Sequence, residues 1–217
     1  DNVMIPTFYK YIIYDNGASV KGKGIEFTKD RLVAHLQKYY RKHGNQGYIL
    51  LLDFSKFFDS IPHKTLLEMF GKHITDERVM KLITELISGF DNSENPKSLG
   101  IGSQISQIAG IYYPTPIDNY CKIVKQCKYY GRYMDDLYVI DESKDFLKSL
   151  LEEITLIADD LGLVINQKKT QIYRIDKGFT KLKLRKNITD TGKVIRKTCK
   201  NNTVRERRKL KKKKKKM

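Results

Sequence analysis

Tyr133-Met134-Asp135-Asp136-Leu137-Tyr138-Val139-Ile140 places two adjacent carboxylates between β-favouring runs, with Tyr129-Tyr130-Gly131-Arg132 just before it. Aromatic and β-branched residues on both sides predict a hairpin whose turn lies at or near the Asp pair. A tight turn thrusts both carboxylates out together. Their repulsion calls for a counter-charge, and a divalent cation is the usual one. A solvated Asp-Asp turn is the plain alternative, because Asp favours turns for local reasons. The rest of the chain bears on the choice.

Phe8 to Tyr14 predicts a strand, followed by a Gly- and Lys-rich loop from Asn16 to Gly24. Three glycines and two lysines there could cradle phosphate, but no Gly-Lys-Ser/Thr ends the loop, so it is not a nucleotide-binding P-loop. Thr28 is the predicted N-cap of a helix carrying Leu32, Leu36, Tyr39 and Tyr40 up to Gly44. Tyr48 to Phe54 is a continuous apolar run, as in a strand buried on both faces. Helices follow over His63–Phe70 and Asp76–Phe90, then a polar loop over 91–104. A helix from about Ser103 to Val124 must kink or break at Pro114 and Pro116. After the hairpin, Ser143 caps a helix closing at Gly162. Short strands are predicted at Leu163–Ile165, Thr170–Ile175, Thr180–Leu184 and Val194–Arg196. Strands mixed with helices around a mid-chain hairpin predict an α+β fold, an antiparallel sheet packed on helices.

The net charge of +17 is localised: residues 181–217 hold 18 Lys or Arg against Asp190 and Glu206, so the remaining 180 residues are nearly neutral. A basic tail attracts polyanions, nucleic acid above all, without reading bases. A solvated tail is the alternative. No apolar run approaches the ~20 residues of a membrane span, and no signal-peptide pattern is present, so no membrane partner is expected. Cys121, Cys127 and Cys199 are odd in number and form no CxxC pair, which predicts reduced thiols in a cytosolic compartment.

Asp53 closes the buried strand, and Asp135 and Asp136 sit at the hairpin. If these strands are neighbours, three carboxylates meet at one sheet edge. Hard oxygen donors, with substrate phosphate completing the shell, suit Mg²⁺, and Mn²⁺ could substitute. Two such ions would support phosphoryl transfer.

These residues carry a resemblance. Leu52-Asp53-Phe54-Ser55-Lys56-Phe57-Phe58-Asp59-Ser60-Ile61 resembles motif A of reverse transcriptases, and Tyr133-Met134-Asp135-Asp136 resembles their Tyr-x-Asp-Asp motif C. Gly162-Leu163-Val164-Ile165-Asn166-Gln167-Lys168-Lys169-Thr170 is similar to motif D, and Phe179-Thr180-Lys181-Leu182-Lys183-Leu184 stands where the primer-grip hairpin is expected. The motifs keep the family's order over about residues 14–197.

The resemblance implies a polymerase palm that takes an RNA template, a DNA primer and deoxynucleoside triphosphates. It makes Asp53 and Asp135 the principal ligands of two metal ions, with Asp136 supporting. The backbone at Phe54 would help hold the triphosphate. Phe58 would be the steric gate against a ribose 2′-OH, or else core packing beside Phe57. Lys169 would protonate the leaving pyrophosphate, or else be an exposed lysine of a Lys-Lys pair. Lys181, Lys183, Arg185 and Lys186 would contact nucleic acid.

Motif B departs from the common Gln-Gly-x-x-x-Ser-Pro and reads Ile101-Gly102-Ser103-Gln104-Ile105-Ser106-Gln107. Ile101, Gly102 and Gln107 would border the nucleotide. This form resembles the reverse transcriptases of diversity-generating retroelements, which implies a bacterial or phage source, an accessory protein and error-prone copying at template adenines. An aliphatic residue cannot make the polar contact of the usual Gln, which weakens discrimination by about 1–3 kcal/mol at most. Ile101 as a packing residue only is the alternative. The resemblance divides the chain into a partial fingers segment (1–47), the palm (48–178), a primer-grip-like hairpin (179–197) and a basic tail, read as a truncated thumb linker (198–217). Further fingers would precede residue 1. A group II intron or retron enzyme, an RNA-dependent RNA polymerase and a non-catalytic nucleic-acid-binding module are the competing readings.

Overall fold

Tyr48-Ile-Leu-Leu-Leu-Asp53 forms the central strand, and its apolar residues divide by parity between two cores. The computed structural model describes residues 4–91, 93–94, 96–100, 102–182 and 184–198, with backbone alone at 185 and 198. The chain runs α1 (Met4–Tyr9), α2 (Ile25–His43), β1 (Tyr48–Asp53), α3 (Phe57–Ser60), α4 (His63–Gly71), α5 (Glu77–Ser88), α6 (Gln104–Tyr112) and α7 (Thr115–Asn119). A π-helical turn over Tyr120–Val124 leads to β2 (Tyr129–Tyr133), β3 (Asp136–Asp141), α8 (Lys144–Asp160) and β4 (Gln171–Arg174). Then come β5 (Phe179–Lys181), β6 (Leu184–Ile188) and β7 (Val194–Thr198).

One antiparallel sheet has the order β2-β3-β1-β4, and β5-β6-β7 form a second antiparallel sheet. Because side chains alternate across a strand, Leu50 and Leu52 enter the core built with the helices, beside Phe70, Ile83, Ile108 and Leu150. Ile49 and Leu51 enter the opposite core, with Leu32, Leu36 and Tyr39 of α2 and Phe179 and Ile188 of the second sheet. Both faces of β1 are therefore covered, which accounts for its unbroken apolar run. Each such leucine or isoleucine, fully buried, contributes about 1.5–3 kcal/mol. The α+β expectation holds.

Several local expectations are corrected. Phe8–Tyr14 is no strand: α1 covers Met4–Tyr9 and turns follow. Phe8 is buried against Phe70 and Tyr112, with ring centroids 4.9 and 4.5 Å away, so tertiary aromatic packing overrides β propensity. Thr28 lies inside α2, whose N-cap is Gly24, and its hydroxyl donates to the Gly24 carbonyl at 3.1 Å. Leu163–Ile165 makes only a bridge from Ile165 to Phe54. The strand predicted over Thr180–Leu184 is two, separated at Leu182, which has φ +51°. The predicted long helix does break, ending α6 at Tyr112 and restarting as α7 at Thr115 with Pro116 in its first turn. Ser143 caps α8 as predicted, accepting from the Phe146 amide at 3.1 Å. Ile101, Lys183 and residues 199–217 lie outside the described residues. Among the described residues no helix is long and apolar enough to cross a membrane.

Candidate active site

The β1–β3 pairing sets Asp53 directly opposite Asp136. On the other side of β3, Tyr133 pairs with Asp136, leaving Met134-Asp135 as a two-residue hairpin loop. Such loops need a left-handed residue, and here it is Met134 at φ +56°. A non-glycine residue in that region costs on the order of 1 kcal/mol or more, so the surroundings must hold it.

They do so from beneath. Arg132, fully buried, donates Nη1 to the Met134 carbonyl at 2.9 Å and Nη2 to the Ile111 carbonyl at 2.8 Å. Its Nε and Nη2 grip the equally buried Asp118 carboxylate at 2.6–3.1 Å. Tyr130 donates its hydroxyl to the same carboxylate at 2.5 Å. Sequence reading singled out neither Arg132 nor Asp118. The available signal was a charged residue within an apolar strand and another within an apolar helical stretch, since neither type is buried without a partner.

Asp53 is fixed by the segment after α8. The Ser55 amide donates to Val164 O at 2.7 Å, and the Asn166 amide to Asp53 O at 2.8 Å. The Asp53 carboxylate accepts from Lys169 Nζ at 2.9 and 3.1 Å and from Asn166 Nδ2 at 3.3 Å. This bond to Asp53 holds the Lys169 ammonium above its ordinary pKa. The Asp136 carboxylate is bound by Lys181 Nζ. Asp135 has its pKa raised, chiefly by burial, with the charges of Asp53 and Asp136 adding to the effect. Asp135 therefore lies within electrostatic reach of both other carboxylates. A cleft of about 290 Å³ between β1, β4 and the second sheet is lined by Asp53, Asp136, Lys169, Thr180 and Lys181.

Among the described residues no group of three or more His, Cys, Asp or Glu is placed to hold a metal ion by itself. The donor chemistry still fits Mg²⁺, which is commonly held by one or two carboxylates with substrate phosphates completing its shell.

The candidate nucleotide residues fall in different settings. The Phe54 side chain is buried in the core, so only its backbone remains for a ligand. Phe58 on α3 is half-buried, and its ring and the Met134 side chain both lie against Gly110 of α6. A Cβ at Gly110 would lie 2.9 Å from the Phe58 ring and 3.0 Å from Met134 Sδ, so glycine permits this approach. The ring thus adjoins the residue before Asp135. Gly102, at φ +99°, precedes the Ser103 N-cap of α6. Gln107 accepts from Ser19 Oγ at 3.5 Å and, with Tyr9, Lys21 and Lys23, lines a cavity of about 690 Å³. The Gly- and Lys-rich loop therefore faces the start of α6.

Lys181 and Lys186, expected on the surface against nucleic acid, are 4% and 0% exposed. Lys181 is drawn inward by Asp136, and Lys186 Nζ donates to the Lys181 carbonyl at 3.0 Å. Neither can lie along a strand crossing the surface. Of the other two, Lys183 and the Arg185 side chain fall outside the described residues.

Among curated proteins, the chain is 31% identical over 116 residues to the COX1/OXI3 intron 2 protein of Saccharomyces cerevisiae, covering 50% of this chain and 13% of that one. Among solved structures it resembles telomerase from Candida albicans, in complex with a fragment of telomeric RNA, at TM-score 0.67 and 12% identity, over 90% of this chain and 36% of that one. It also resembles apo telomerase from Candida tropicalis at TM-score 0.64 and 14% identity, over 90% of this chain and 39% of the other. At such identities the likeness is one of fold. The chain spans about an eighth of the curated relative and somewhat over a third of the telomerase chains. The profile of one family, described as reverse transcriptase (RNA-dependent DNA polymerase), matches residues 9–213, and the chain belongs to that family.

Proposed function

We propose that this chain is the palm of an enzyme that copies RNA into DNA, with Asp53 and Asp135 as the metal-binding carboxylates. The observation that carries this is the β1–β3 register, which sets Asp53 opposite Asp136 with Asp135 at the adjoining loop tip. When bound there, two Mg²⁺ ions would activate the attacking primer hydroxyl and neutralise charge on the leaving pyrophosphate. The chain's own residues position and exclude. Phe58, packed with Met134 against Gly110, would stand against a ribose 2′-OH and favour deoxynucleotides. Lys169, whose ammonium lies beside the Asp53 carboxylate, would hold a proton at Nζ within reach of a leaving phosphate. Gly102 and Gln107 would border the template and nucleotide, with Lys21 and Lys23 across the cavity supplying positive charge.

The finer reading is a diversity-generating retroelement enzyme, bacterial or phage-encoded, working with an accessory protein. It is supported by Ile101 and Gln107 in motif B. The similarity to an intron 2 protein favours an intron-type enzyme as the second reading. Replacing Asp135→Asn in the full-length enzyme should abolish metal-dependent nucleotide addition, and retained activity refutes the assignment. Sequencing DNA copied from a defined RNA separates the two readings. Errors concentrated at template adenines support the first, and equal error at all four bases refutes it.

A further inference from the structure

Two lysines occupy the acidic edge, and they differ in one respect. Lys169 binds Asp53 from the surface, with its side chain 65% exposed. Lys181 binds Asp136 from inside, with its side chain 3% exposed. Lys181 Nζ also donates to the Leu137 carbonyl at 2.9 Å, and its own carbonyl accepts from the Lys186 ammonium at 3.0 Å. An exposed pair is weakly held and its lysine can swing into water. A buried ammonium has no such exit, since leaving its carboxylate strands the Lys181 charge in a low-dielectric interior, although the Asp136 side chain itself is 29% exposed.

Resting on the metal-site reading above, we propose that Lys181 is a resident counter-cation that commits Asp136 to the second sheet and keeps it out of the metal shell, whereas Lys169 is a placeholder that a metal ion displaces. Lys181 is a positioning residue. It ties β5 to the first residue of β3, so the primer-grip-like sheet and the Asp135 loop move as one body. The metal set is then Asp53 and Asp135, which accords with the lack of a three-carboxylate group among the described residues.

The test is lysine acylation of the unsubstituted full chain, read residue by residue by mass spectrometry, with Mn²⁺ as the probe. Mn²⁺ is expected to speed acylation of Lys169 by up to about fivefold, the factor equivalent to losing an exposed ion pair, and to leave Lys181 protected. Acylation of Lys181 on adding Mn²⁺ overturns the proposal while leaving the metal site standing. No Mn²⁺ effect on Lys169 overturns the proposal, and the metal-site reading falls with it only if Asp53→Asn also leaves Mn²⁺ binding unchanged. As a second measurement, Mn²⁺ binding followed by electron paramagnetic resonance should be nearly unchanged in the charge-neutral double variant Lys181→Met/Asp136→Asn. Loss of binding as complete as in Asp53→Asn overturns the proposal.

Discussion

Arg132→Met is the substitution whose cost the structure specifies best. The guanidinium is fully buried and serves the Asp118 carboxylate and the carbonyls of Met134 and Ile111. Methionine fills much of its volume but donates nothing. Asp118 would keep only the Tyr130 hydroxyl while remaining inside the protein. Breaking a buried pair by removing one partner costs about 3–5 kcal/mol, because the other charge stays desolvated. That is a large share of the roughly 5–15 kcal/mol that stabilises a typical domain. With a urea dependence of about 2 kcal/mol per molar, the unfolding midpoint should fall by about 1.5–2.5 M. The assay is urea unfolding of the full chain by far-UV circular dichroism, for the parent, Arg132→Met, Asp118→Leu and the double variant. Removing both charges should recover much of the loss, since a buried pair replaced by apolar residues is often near neutral. The two orphaned carbonyls keep the recovery incomplete. A midpoint shift below about 0.5 M for Arg132→Met, or a double variant no more stable than the worse single one, refutes the reasoning.

Phe58→Ala should open the nucleotide site to ribonucleotides, raising their use relative to deoxynucleotides by roughly 10- to 100-fold in the full-length enzyme, as relief of a steric exclusion of this size does. Competition between labelled nucleotides checks it, and an unchanged ratio returns Phe58 to a packing role. His35 should make the fold acid-sensitive. Burial lowers its pKa to about 4, against the pull of Asp15 and with Arg31, Lys122 and Lys38 adding to the lowering. The unfolded chain then binds the extra proton between pH 6.5 and 4, so stability is full above that window and falls as pH drops through it, by up to about 3 kcal/mol. Urea midpoints across this range should slope for the parent and be flatter for His35→Gln.

Features carried by local pattern were legible in the sequence. The apolar run of β1, the Ser143 cap and stripe of α8, and the β runs flanking Asp135-Asp136 each follow from near neighbours in the chain. The meeting of Asp53 with the hairpin was legible only as a condition, because strand order is a long-range property. What failed was set by tertiary partners. Phe8–Tyr14 has strand composition but is claimed by the aromatic cluster of α4 and α6. Lys181 and Lys186 were assigned to nucleic acid by the resemblance of their segment to a primer grip. Their burial was hidden because lysine is buried only when paired, and the pairing of Lys181 with Asp136 spans 45 residues. The Arg132–Asp118 grip escaped for a related reason: each is a charged residue in an apolar stretch, but which partner satisfies it is a long-range property.

The parity of β1 has a consequence for how such a chain can change in length. Ile49 and Leu51 serve one core, Leu50 and Leu52 the other, and Asp53 follows in the same alternation. Deleting or inserting one residue between Tyr48 and Leu52 would send the strand residues beyond it to the wrong core and turn the Asp53 carboxylate to the opposite side of the sheet. A single frame step would thus abolish folding and chemistry together. Variation in length among related chains should therefore fall in the connections between elements, while this six-residue strand keeps its count.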